Sequence, residues 1–389
     1  MLEMSTAKPE IRMGDEVHDE PVRVLHFLPS LSADAGQFRV VLNYHRHIDP
    51  SRVRFDYLYL KETPSSLRSD VEELGSRAFH VPLKGRGCVG AELRSFLLRH
   101  RGEFDILHCH PIYGPELLGW AARRSGIQRV VCHSHSTKFS THRTGEVRNR
   151  LLAQFVGLFA TDYFACSQHA TVLLGPHADD AFILHNAIDS ARFAFDAERR
   201  KQSREALGID DGCFVLGTLG RLAPEKNQAF MLEILREMRA SDVHAKLLIA
   251  GGGPLDGKLR ARAEELQVKD DVLLLGTRSD TPNLYAAFDC FLLTSFFEGI
   301  PVSAIEAQAA GLPCFLSDGI DDEVLYGQGR RLSLESGPAV WAQAIMDYRG
   351  KKDADRLLGL HQTRDAGYDV SVEAMKLMSH YEAMTGKAQ

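Results

Sequence analysis

The sequence predicts an α/β protein built from two doubly wound domains, each with a parallel sheet covered by helices, that face each other across a cleft. Short, almost continuously apolar runs alternate with longer amphipathic runs, which is typical of a parallel sheet buried on both faces. This alternation occurs once in each half of the chain. The length of 389 residues also exceeds that of a typical single domain and fits two.

Strands and helices are predicted to alternate from Pro21 onward. In the first half the strands are expected at 22–28, 55–59, 106–109, 130–132, 163–166 and 182–185, with helices at 38–47, 71–74, 93–100 and 116–124. A charged stretch at 196–205 interrupts the alternation before a second series begins. Its strands are expected at 213–219, 245–250, 272–276, 290–294 and 313–316, with helices at 228–239, 258–266, 282–287 and 302–310.

These patterns divide the chain into five segments. We expect a flexible, acidic lead-in at 1–20, a first domain at 21–195, a linker at 196–212, a second domain at 213–365, and a C-terminal helix within 366–389 that crosses back to the first domain. Doubly wound sheets bind ligands at the carboxyl ends of their strands. The active site is therefore expected between the two domains.

Composition and charge narrow the class of protein. The formal net charge is −6, whereas nucleic-acid-binding domains carry a basic excess, so no nucleic-acid partner is expected. The seven cysteines form no C-x-x-C pair and lie mostly in apolar runs, which fits a reducing compartment. The first twenty residues lack a signal-peptide pattern, and no apolar run approaches the roughly 20 residues that span a bilayer. We therefore expect a cytoplasmic protein.

The segment F-E-G-I-P-V-S-A-I-E at 297–306 follows an apolar strand and opens a helix. Pro301 suits the first helical position, and the unsatisfied amides of a first helical turn suit a diphosphate. Glu306 is placed to accept both hydroxyls of a ribose, and Glu298, at the loop tip, to orient the hydroxyls of a transferred sugar. The alternative is an acidic loop followed by a helix with one exposed glutamate.

A second loop, T-L-G-R-L-A-P-E-K-N at 218–227, also follows a strand directly. Gly220 permits a tight turn, while Arg221 offers a rigid donor fork and Lys226 a compact charge to one phosphate. Many loops contain an arginine and a lysine. This loop is significant because it is expected at the same sheet edge as the segment 297–306.

These two loops, with G-G-G-P at 251–254 and L-G-T-R at 275–278, resemble the motifs of retaining glycosyltransferases of the GT-B fold. The sequence is most similar to glycosyltransferase family 4, which includes many enzymes of exopolysaccharide and lipopolysaccharide synthesis. The resemblance covers 24–384 and is stronger in the second half. It implies two Rossmann-like domains that transfer a sugar, with retention, from a nucleotide sugar such as a UDP- or GDP-sugar. A glycan, a lipid-linked molecule or a small molecule would accept it, with no cofactor and no catalytic metal.

The resemblance also assigns roles to individual residues. It implies that Arg221 and Lys226 bind the donor diphosphate. Glu306 would hold the ribose, Glu298 would contact the donor sugar, and the backbone around Arg278 would lie along the base. The other donor-binding positions are small or backbone-contributing residues beside these: Gly36, Gly220, Gly299, Ile300, Pro301, Val302 and Ser303.

The weakest match is the loop after the first strand, L-S-A-D-A-G-Q-F at 31–38. The family has a glycine pair followed by a polar or acidic residue; here Ala35 replaces one glycine and Phe38 stands where an acid is common. Gly36 still lets the backbone approach a phosphate. Further along, N-A-I-D at 186–189 is similar to the family's N-G-[IV]-D element, in which Asn186 is expected to be structural.

Four histidines follow two consecutive predicted strands, at one sheet edge: His108, His110, His133 and His135. Their H-x-H spacing also occurs in metal sites, but residues i and i+2 share a face on any strand, and no acidic residue accompanies them. No metal is expected here, and His108 and His133 are expected to be structural. His135, in S-H-S-T, resembles the family's acceptor-site histidine and is expected to contact the donor sugar or the acceptor.

Two further segments contain residues of the types that bind membranes or metals. The basic and apolar residues at 138–159 are expected either to touch an anionic membrane surface or a lipid-diphosphate acceptor, or to pack on the sheet as an ordinary helix. The D-x-D at 353–355 lies in a charged helical run rather than after an apolar strand. It is not expected to bind a metal.

Two other functions stay open at the level of sequence. The altered loop at 31–38 is compatible with a catalytically silent protein that binds a nucleotide sugar or scaffolds a polysaccharide complex. Another GT-B activity, such as that of a nucleotide-sugar epimerase, would use similar donor motifs. A phosphorylase is disfavoured because no lysine stands in a context suited to a pyridoxal cofactor.

Overall fold

The computed structural model describes residues 20–82, 85–136, 156–349 and 353–387, and within them it contains two parallel β-sheets. The first sheet consists of β1 Val22–Ser30, β2 Val53–Lys61, β3 Ala78–His80, β4 Ile106–Cys109, β5 Arg129–Ser134, β6 Asp162–Ala165 and β7 Phe182–Ile183. The helices between its strands are α1 Gly36–His45, α2 Arg68–Glu73, α3 Gly85–Arg99 and α4 Gly114–Arg124.

The second sheet repeats this arrangement. Its strands are β8 Phe214–Leu219, β9 Ala245–Ala250, β10 Val272–Gly276, β11 Cys290–Leu293, β12 Cys314–Ser317 and β13 Gly329–Leu332. The accompanying helices are α5 Ser190–Phe193, α6 Ala197–Ala206, α7 Gln228–Ala240, α8 Asp256–Glu265, α9 Thr281–Ala287, α10 Val302–Ala309, α11 Pro338–Met346, α12 Gly359–Asp365 and α13 Val370–Thr385. The predicted α/β class with two doubly wound sheets is confirmed.

The strand order of the two sheets explains where a ligand can bind. The orders are β3-β2-β1-β4-β5-β6-β7 and β10-β9-β8-β11-β12-β13. Each sheet therefore reverses its winding direction once, between β1 and β4 in the first and between β8 and β11 in the second. Crevices form at such switch points, outside the carboxyl ends of the strands. The loops that follow β1, β4, β8 and β11 are the ones that line them.

Six of these strands and helices were not predicted from the sequence: β3, β13, α5, α6, α11 and α12. β3 has only three residues, too few for a periodic signal. β13 has the sequence G-R-R-L, whose two arginines are exposed at the edge of the sheet. α11 is apolar at almost every position and so lacks the amphipathic contrast by which helices are detected.

Residues 197–206, placed in the linker by the sequence analysis, form helix α6 against the second half of the molecule. The Asp196 side chain accepts a hydrogen bond from the Arg199 amide, which caps the helix. Arg200 and Arg204 both form ion pairs with Asp289, just before β11. The charges that made this stretch resemble a linker are therefore the groups that fix the helix.

The C-terminal helix α13 packs against the first half of the chain. Tyr381 and Leu377 are buried in the same apolar cluster as Val24 and Phe55. At the helix end, Arg52 donates two hydrogen bonds to Glu382, at 2.7 and 2.6 Å. A bridge between Ile188 and Asp369 marks the point where the chain passes between the two halves.

Two glycines bring the loops of the second sheet close together. Gly251 and Gly253 have φ angles of 145° and 157°. A Cβ on Gly251 would lie 1.9 Å from the Gly220 carbonyl oxygen, and one on Gly253 would lie 2.3 Å from the Leu222 oxygen. The turn at 251–254 can therefore support the loop after β8 only if these positions lack side chains.

Candidate active site

A cleft with a volume of about 690 Å³ lies between the two sheets, at their switch points. It brings together most of the site residues expected from the sequence: Gly36, His135, Gly220, Arg221, Lys226, Glu298, Gly299, Ile300, Pro301, Val302, Ser303 and Glu306. Arg278 lines an adjoining cavity of about 420 Å³. The two cavities share Asp34, Arg39, Thr281 and Glu306, so they form one continuous cleft.

Lys226 and Glu298 form an ion pair at the centre of the cleft, with 2.6 Å between Nζ and Oε2. The Ser295 hydroxyl donates to the other carboxylate oxygen of Glu298. The Glu298 amide donates to the Gly319 oxygen, and the Glu298 oxygen accepts from the Asp321 amide, both at 3.2 Å. The side chain and backbone of Glu298 are thus both fixed before any ligand binds.

Arg221 is the more exposed cation of the same loop. Its guanidinium pairs with Glu225, four residues along, while 65% of its side chain stays accessible. The Arg221 carbonyl oxygen accepts a hydrogen bond from Gln228 at 2.9 Å, which holds the loop against the start of α7. An exposed surface pair of this kind is weak, so an incoming phosphate can compete for the guanidinium.

Glu306 lies buried in α10, at the junction of the two cavities. Tyr285 in α9 donates a hydrogen bond of 2.8 Å to its carboxylate. Burial raises the pKa of Glu306, and the positive charge of Arg39 acts in the opposite direction. The alternative, an acidic loop followed by a helix with one exposed glutamate, is therefore excluded. Tyr285 was not identified from the sequence, because nothing in α9 marks a tyrosine that faces a neighbouring helix.

The amino end of α10 opens onto the cleft. Pro301 is the capping residue rather than the first helical residue, and Val302 and Ser303 form the first turn. The amides of a first turn have no partner within the helix and favour anions. The Ile300 carbonyl oxygen just before them accepts a hydrogen bond of 2.9 Å from Asn186 in the first half. This bond agrees with the structural role expected for Asn186 and connects the two walls of the cleft.

Arg278 lines the outer cavity and is already paired. Its guanidinium donates two hydrogen bonds to Asp280, at 2.8 and 2.7 Å. The side chain therefore braces the turn between β10 and α9, and the backbone of 277–279 borders the cavity.

The loop after β1 differs from the expectation that was based on Phe38. Phe38 is fully buried and packs edge-on against Tyr57, so its side chain points into the core rather than into the cleft. The next residue, Arg39, is exposed and lines both cavities. Sequence reasoning missed Arg39, although helical periodicity gives a signal: Phe38, Val41 and Leu42 are buried, which turns Arg39 to the opposite face.

A cluster of buried imidazoles lies behind His135. His108, His110 and His133 place ring nitrogens within 4.8 Å of one another, which is close enough for a shared metal ion. In the structure, however, the nitrogens of His108 and His110 point at hydrogen-bonding partners, namely Tyr381, His133, His135 and His26. Sequence reasoning missed His26, which stands alone in β1 without an H-x-H neighbour.

Two further expectations concern the segments 138–159 and 353–355. Of the segment 138–159, residues 138–155 lie outside the described residues. The D-x-D at 353–355 opens a short 3₁₀ helix, Asp353–Leu358, and does not follow a strand.

Comparison with known proteins identifies the family. The model of the family described as "Glycosyl transferases group 1" matches residues 199–323, which include the loop after β8 and the segment 297–306. The glycosyltransferase EpsF of Bacillus subtilis is 31% identical over 375 residues, covering 94% of this chain and 97% of its own length. The chain belongs to the group 1 glycosyltransferases.

One other relative of this group 1 glycosyltransferase has a name that specifies both its donor and its acceptor. An Escherichia coli protein named UDP-Gal:alpha-D-GlcNAc-diphosphoundecaprenol alpha-1,3-galactosyltransferase is 28% identical over 62% of this chain and 66% of its own length. Among solved structures, Anabaena HepE in complex with UDP and glucose has a TM-score of 0.76 at 16% identity, covering 93% of this chain and all of that one. That likeness shows the GT-B fold.

None of the helices in the described part of this glycosyltransferase is long and apolar enough to cross a membrane.

Proposed function

We propose that this glycosyltransferase transfers a sugar from a UDP-sugar to a lipid-linked glycan, with retention of configuration and without a catalytic metal, during synthesis of a cell-surface polysaccharide. The observation that carries the proposal is the convergence of Arg221, Lys226 and the first turn of α10 on one cavity that also contains Glu298 and Glu306. The structures of HepE in complex with UDP and glucose and with UDP-glucose support the choice of donor. The named lipid-diphosphate substrate of the Escherichia coli relative supports the choice of acceptor.

In this proposal the donor lies along the continuous cleft. The base occupies the outer cavity beside the backbone of 277–279, the ribose hydroxyls bind Glu306, and the diphosphate lies between Lys226 and the amino end of α10. The sugar then reaches Glu298. His135, on the opposite wall, contacts the sugar or the acceptor.

Charge stabilisation is the main catalytic effect we propose. As the bond between the anomeric carbon and the diphosphate breaks, negative charge develops on the leaving oxygen. Lys226, Arg221 and the first turn of α10 line the cavity in which we place that oxygen, and preorganised groups of this kind contribute most when water is excluded. These groups supply the positive charge that a metal ion supplies in other transferases.

Retention follows from front-face attack in this proposal. The acceptor hydroxyl forms its new bond to the anomeric carbon on the face that the diphosphate leaves, and its proton passes to the departing phosphate oxygen. A covalent glycosyl-enzyme would need a free carboxylate. Both carboxylate oxygens of Glu298 accept hydrogen bonds, from Lys226 and Ser295, and this supports a binding role for Glu298 rather than a nucleophilic one.

A panel of UDP- and GDP-sugars tests the proposal. We expect one UDP-sugar to raise the melting temperature of the full chain and to release UDP, at a rate unchanged by EDTA. Supplying an undecaprenyl-diphosphate sugar should give a product whose anomeric coupling, measured by NMR, matches that of the donor. Inversion, or loss of activity in EDTA, would contradict the mechanism. Binding without release of UDP would favour a silent nucleotide-sugar-binding protein.

The acceptor proposal also places the enzyme at the cytoplasmic face of a membrane. The basic residues of 138–150 and the exposed apolar side chains of Leu158 and Trp120 support this location. We expect the chain to float with vesicles that contain phosphatidylglycerol and to remain behind with vesicles of phosphatidylcholine alone. Equal recovery with both kinds of vesicle would contradict an electrostatic attachment.

A further inference from the structure

A row of hydrogen-bonded imidazoles runs from the cleft into the core of the first half. The Nε2 atom of His135 lies 2.8 Å from Nδ1 of His110, and Nε2 of His110 lies 3.0 Å from Nδ1 of His26. His110 and His26 are each only 2% exposed. Neither lines the cleft, whereas His135 does. We call these three residues the His135–His26 chain.

A second row lies beside the first but does not join it. The Tyr381 hydroxyl is 2.6 Å from Nδ1 of His108, and Nε2 of His108 is 3.0 Å from Nδ1 of His133. The ring of His133 stacks on that of His135 with 3.9 Å between centroids. Among the described residues, no hydrogen bond connects this second row with His135, so it serves as an internal reference for the first.

The imidazoles of the His135–His26 chain are uncharged at neutral pH. Burial lowers the pKa of His135 to about 3. Burial also lowers the pKa of His110 and of His26, and neighbouring histidines lower both further. Each ring therefore carries one N–H and one bare nitrogen.

The connectivity of the chain links the tautomers of its members. Both bonds join Nε2 of one ring to Nδ1 of the next, so the N–H of every ring must point in the same direction along the chain. All three rings are protonated on Nδ1, or all three are protonated on Nε2. In the first case His135 offers an N–H to the cleft, and in the second a bare Nδ1 acceptor. The nitrogen that a second partner engages decides the tautomer of a histidine.

We propose that His110 and His26 are positioning residues that fix the orientation and the tautomer of His135, so that its Nδ1 atom meets the sugar or the acceptor with one defined hydrogen-bonding role. This inference rests on the proposed function, in which His135 contacts substrate. Nε2 of His135 is occupied by His110, which leaves Nδ1 as the ring nitrogen available to the cleft. At the inner end, Nε2 of His26 is buried and without a partner among the described residues. At the other end, a polar group bound in the cleft can form a hydrogen bond with Nδ1 of His135.

The kinetic test compares three variants of the full chain in release of UDP from the UDP-sugar that it turns over. His26→Leu removes the hydrogen bond to His110, and we expect kcat to fall roughly 10- to 100-fold, with the donor KM changed less than about threefold. His26→Asn keeps a hydrogen-bonding group at the position of Nδ1, and its amide can turn to serve either tautomer. We expect it to restore most of the activity.

Tyr381→Phe is the matched control. It removes one hydrogen bond to a buried imidazole in the second row and leaves the His135–His26 chain intact. We expect a loss of melting temperature similar to that of His26→Leu, with kcat within about twofold of the wild type. Equal losses of kcat in both variants would mean that the cluster is merely structural, and the inference would be wrong.

A spectroscopic measurement needs no substrate. In protein labelled with 15N-histidine, long-range 1H–15N spectra distinguish protonated from bare ring nitrogens, and His26→Asn and His135→Asn assign two of the signals. We expect His26 and His135 to show the same tautomer in the wild type, and His135 to become an average of two tautomers in His26→Leu. Different tautomers in the wild type would overturn the proposal.

The test separates the inference from the proposed function. If His135→Ala leaves UDP release unchanged, the role assigned to His135 in the proposed function is wrong. If His135→Ala abolishes release while His26→Leu has no effect, the proposed function stands and only the His135–His26 chain loses its role.

Discussion

The two walls of the cleft use different chemistry. On the second-half wall, three cationic side chains form ion pairs with carboxylates: Lys226 with Glu298, Arg221 with Glu225, and Arg278 with Asp280. On the first-half wall, His135 and the imidazoles behind it are neutral, because burial lowers their pKa values. One wall is suited to a charged diphosphate and the other to sugar hydroxyls.

The residues of the two walls are also distributed differently along the sequence. The charged wall consists of short loops directly after β8 and β11, so its residues are close in sequence and form motifs. The neutral wall depends on hydrogen bonds between β1, β4 and β5, whose histidines lie 25 or more residues apart. The comparison can be tested by weakening each wall in turn.

The largest effect is expected from Lys226→Ala on the charged wall. The substitution removes a cation from the proposed diphosphate site and leaves the half-buried Glu298 carboxylate without its ion-pair partner. We expect kcat/KM for UDP release to fall by about 10²- to 10³-fold, the size seen when one preorganised transition-state contact is lost. Kinetics with the UDP-sugar selected from the panel measure this.

Lys269→Ala is the control for that substitution. Lys269 is 60% exposed and lies in a turn away from the cleft, so its removal changes net charge equally without touching the site. Its activity should match the wild type within about twofold. If Lys226→Ala keeps more than a third of the activity with a normal melting temperature, the charged wall does not act on the diphosphate.

Lowering the pH should reduce the free energy of unfolding through the histidines of the neutral wall and its surroundings. Seven histidines of the first half have lowered pKa values because of burial: His26, His45, His108, His110, His133, His135 and His185. A histidine with a folded pKa below its unfolded value of 6.5 takes up a proton on unfolding. Its contribution to stability is therefore complete above about pH 6.5 and is lost as the pH falls toward the folded pKa, which is about 4 for His45. Each such histidine lowers the free energy of unfolding by up to about 1.4 kcal/mol for each pH unit of acidification in this range.

Urea unfolding between pH 7.5 and pH 5 measures this effect. Three groups act in the opposite direction but are fewer: Glu116 and Glu306, whose pKa values are raised by burial, and His169, whose pKa is raised by its hydrogen bond to Asp321. We expect proton uptake on unfolding, and protection from hydrogen exchange at pH 5 should fall first in β1, β4 and β5. His45→Gln should reduce the uptake by up to one proton. Stability that is constant over this range would show that the imidazoles are not held neutral.

The sequence predicted the charged wall better than the neutral one, for physical reasons. The segment 297–306 and the loop at 218–227 are continuous stretches whose chemistry is local, and the structure brings them to one cavity. The positions of most strands along the chain were also predictable, since each buried strand is a short apolar run. By contrast, His26 has a role in the structure only because β1 lies beside β4 in the sheet, with His26 in register with His108.

The remaining differences arise where tertiary contacts override local pattern. Phe38 was expected in the place of a cleft acid, but α1 turns it into the core against Tyr57 and exposes Arg39 instead. The charged residues of 197–206 were interpreted as a linker because their partner, Asp289, is almost ninety residues away. A single sequence does not contain these pairings.

A smaller effect is expected from Gly251→Ala, because Gly251 packs against the backbone of the loop at 218–227 in the charged wall. The new methyl group would lie 1.9 Å from the Gly220 carbonyl oxygen, so the loop that carries Arg221 must move. We expect a loss of about 2 kcal/mol in the free energy of unfolding and a several-fold weaker affinity for UDP. Urea unfolding and calorimetry measure the two quantities.

Gly257→Ala provides the reference for that change. Gly257 lies in α8 with open space around its Cβ position, so alanine there should stabilise the helix slightly and leave UDP binding unchanged. If Gly251→Ala behaves in the same way, the turn at 251–254 does not support the loop at 218–227.

The smallest effect is expected from Arg39→Ala, and it tests whether the two walls act independently. Arg39 belongs to the first half, yet its charge reaches the buried Glu306 of the second. It is exposed, so its electrostatic contribution to a bound nucleotide is at most about 1 kcal/mol, and we expect a decrease of roughly two- to fivefold in kcat/KM. The exposed Arg54 in β2, replaced by Ala, is the control. Loss of UDP affinity in Arg39→Ala alone would show that the neutral wall supplies a charge to the donor, whereas unchanged kinetics would confine the charged contacts to the second half.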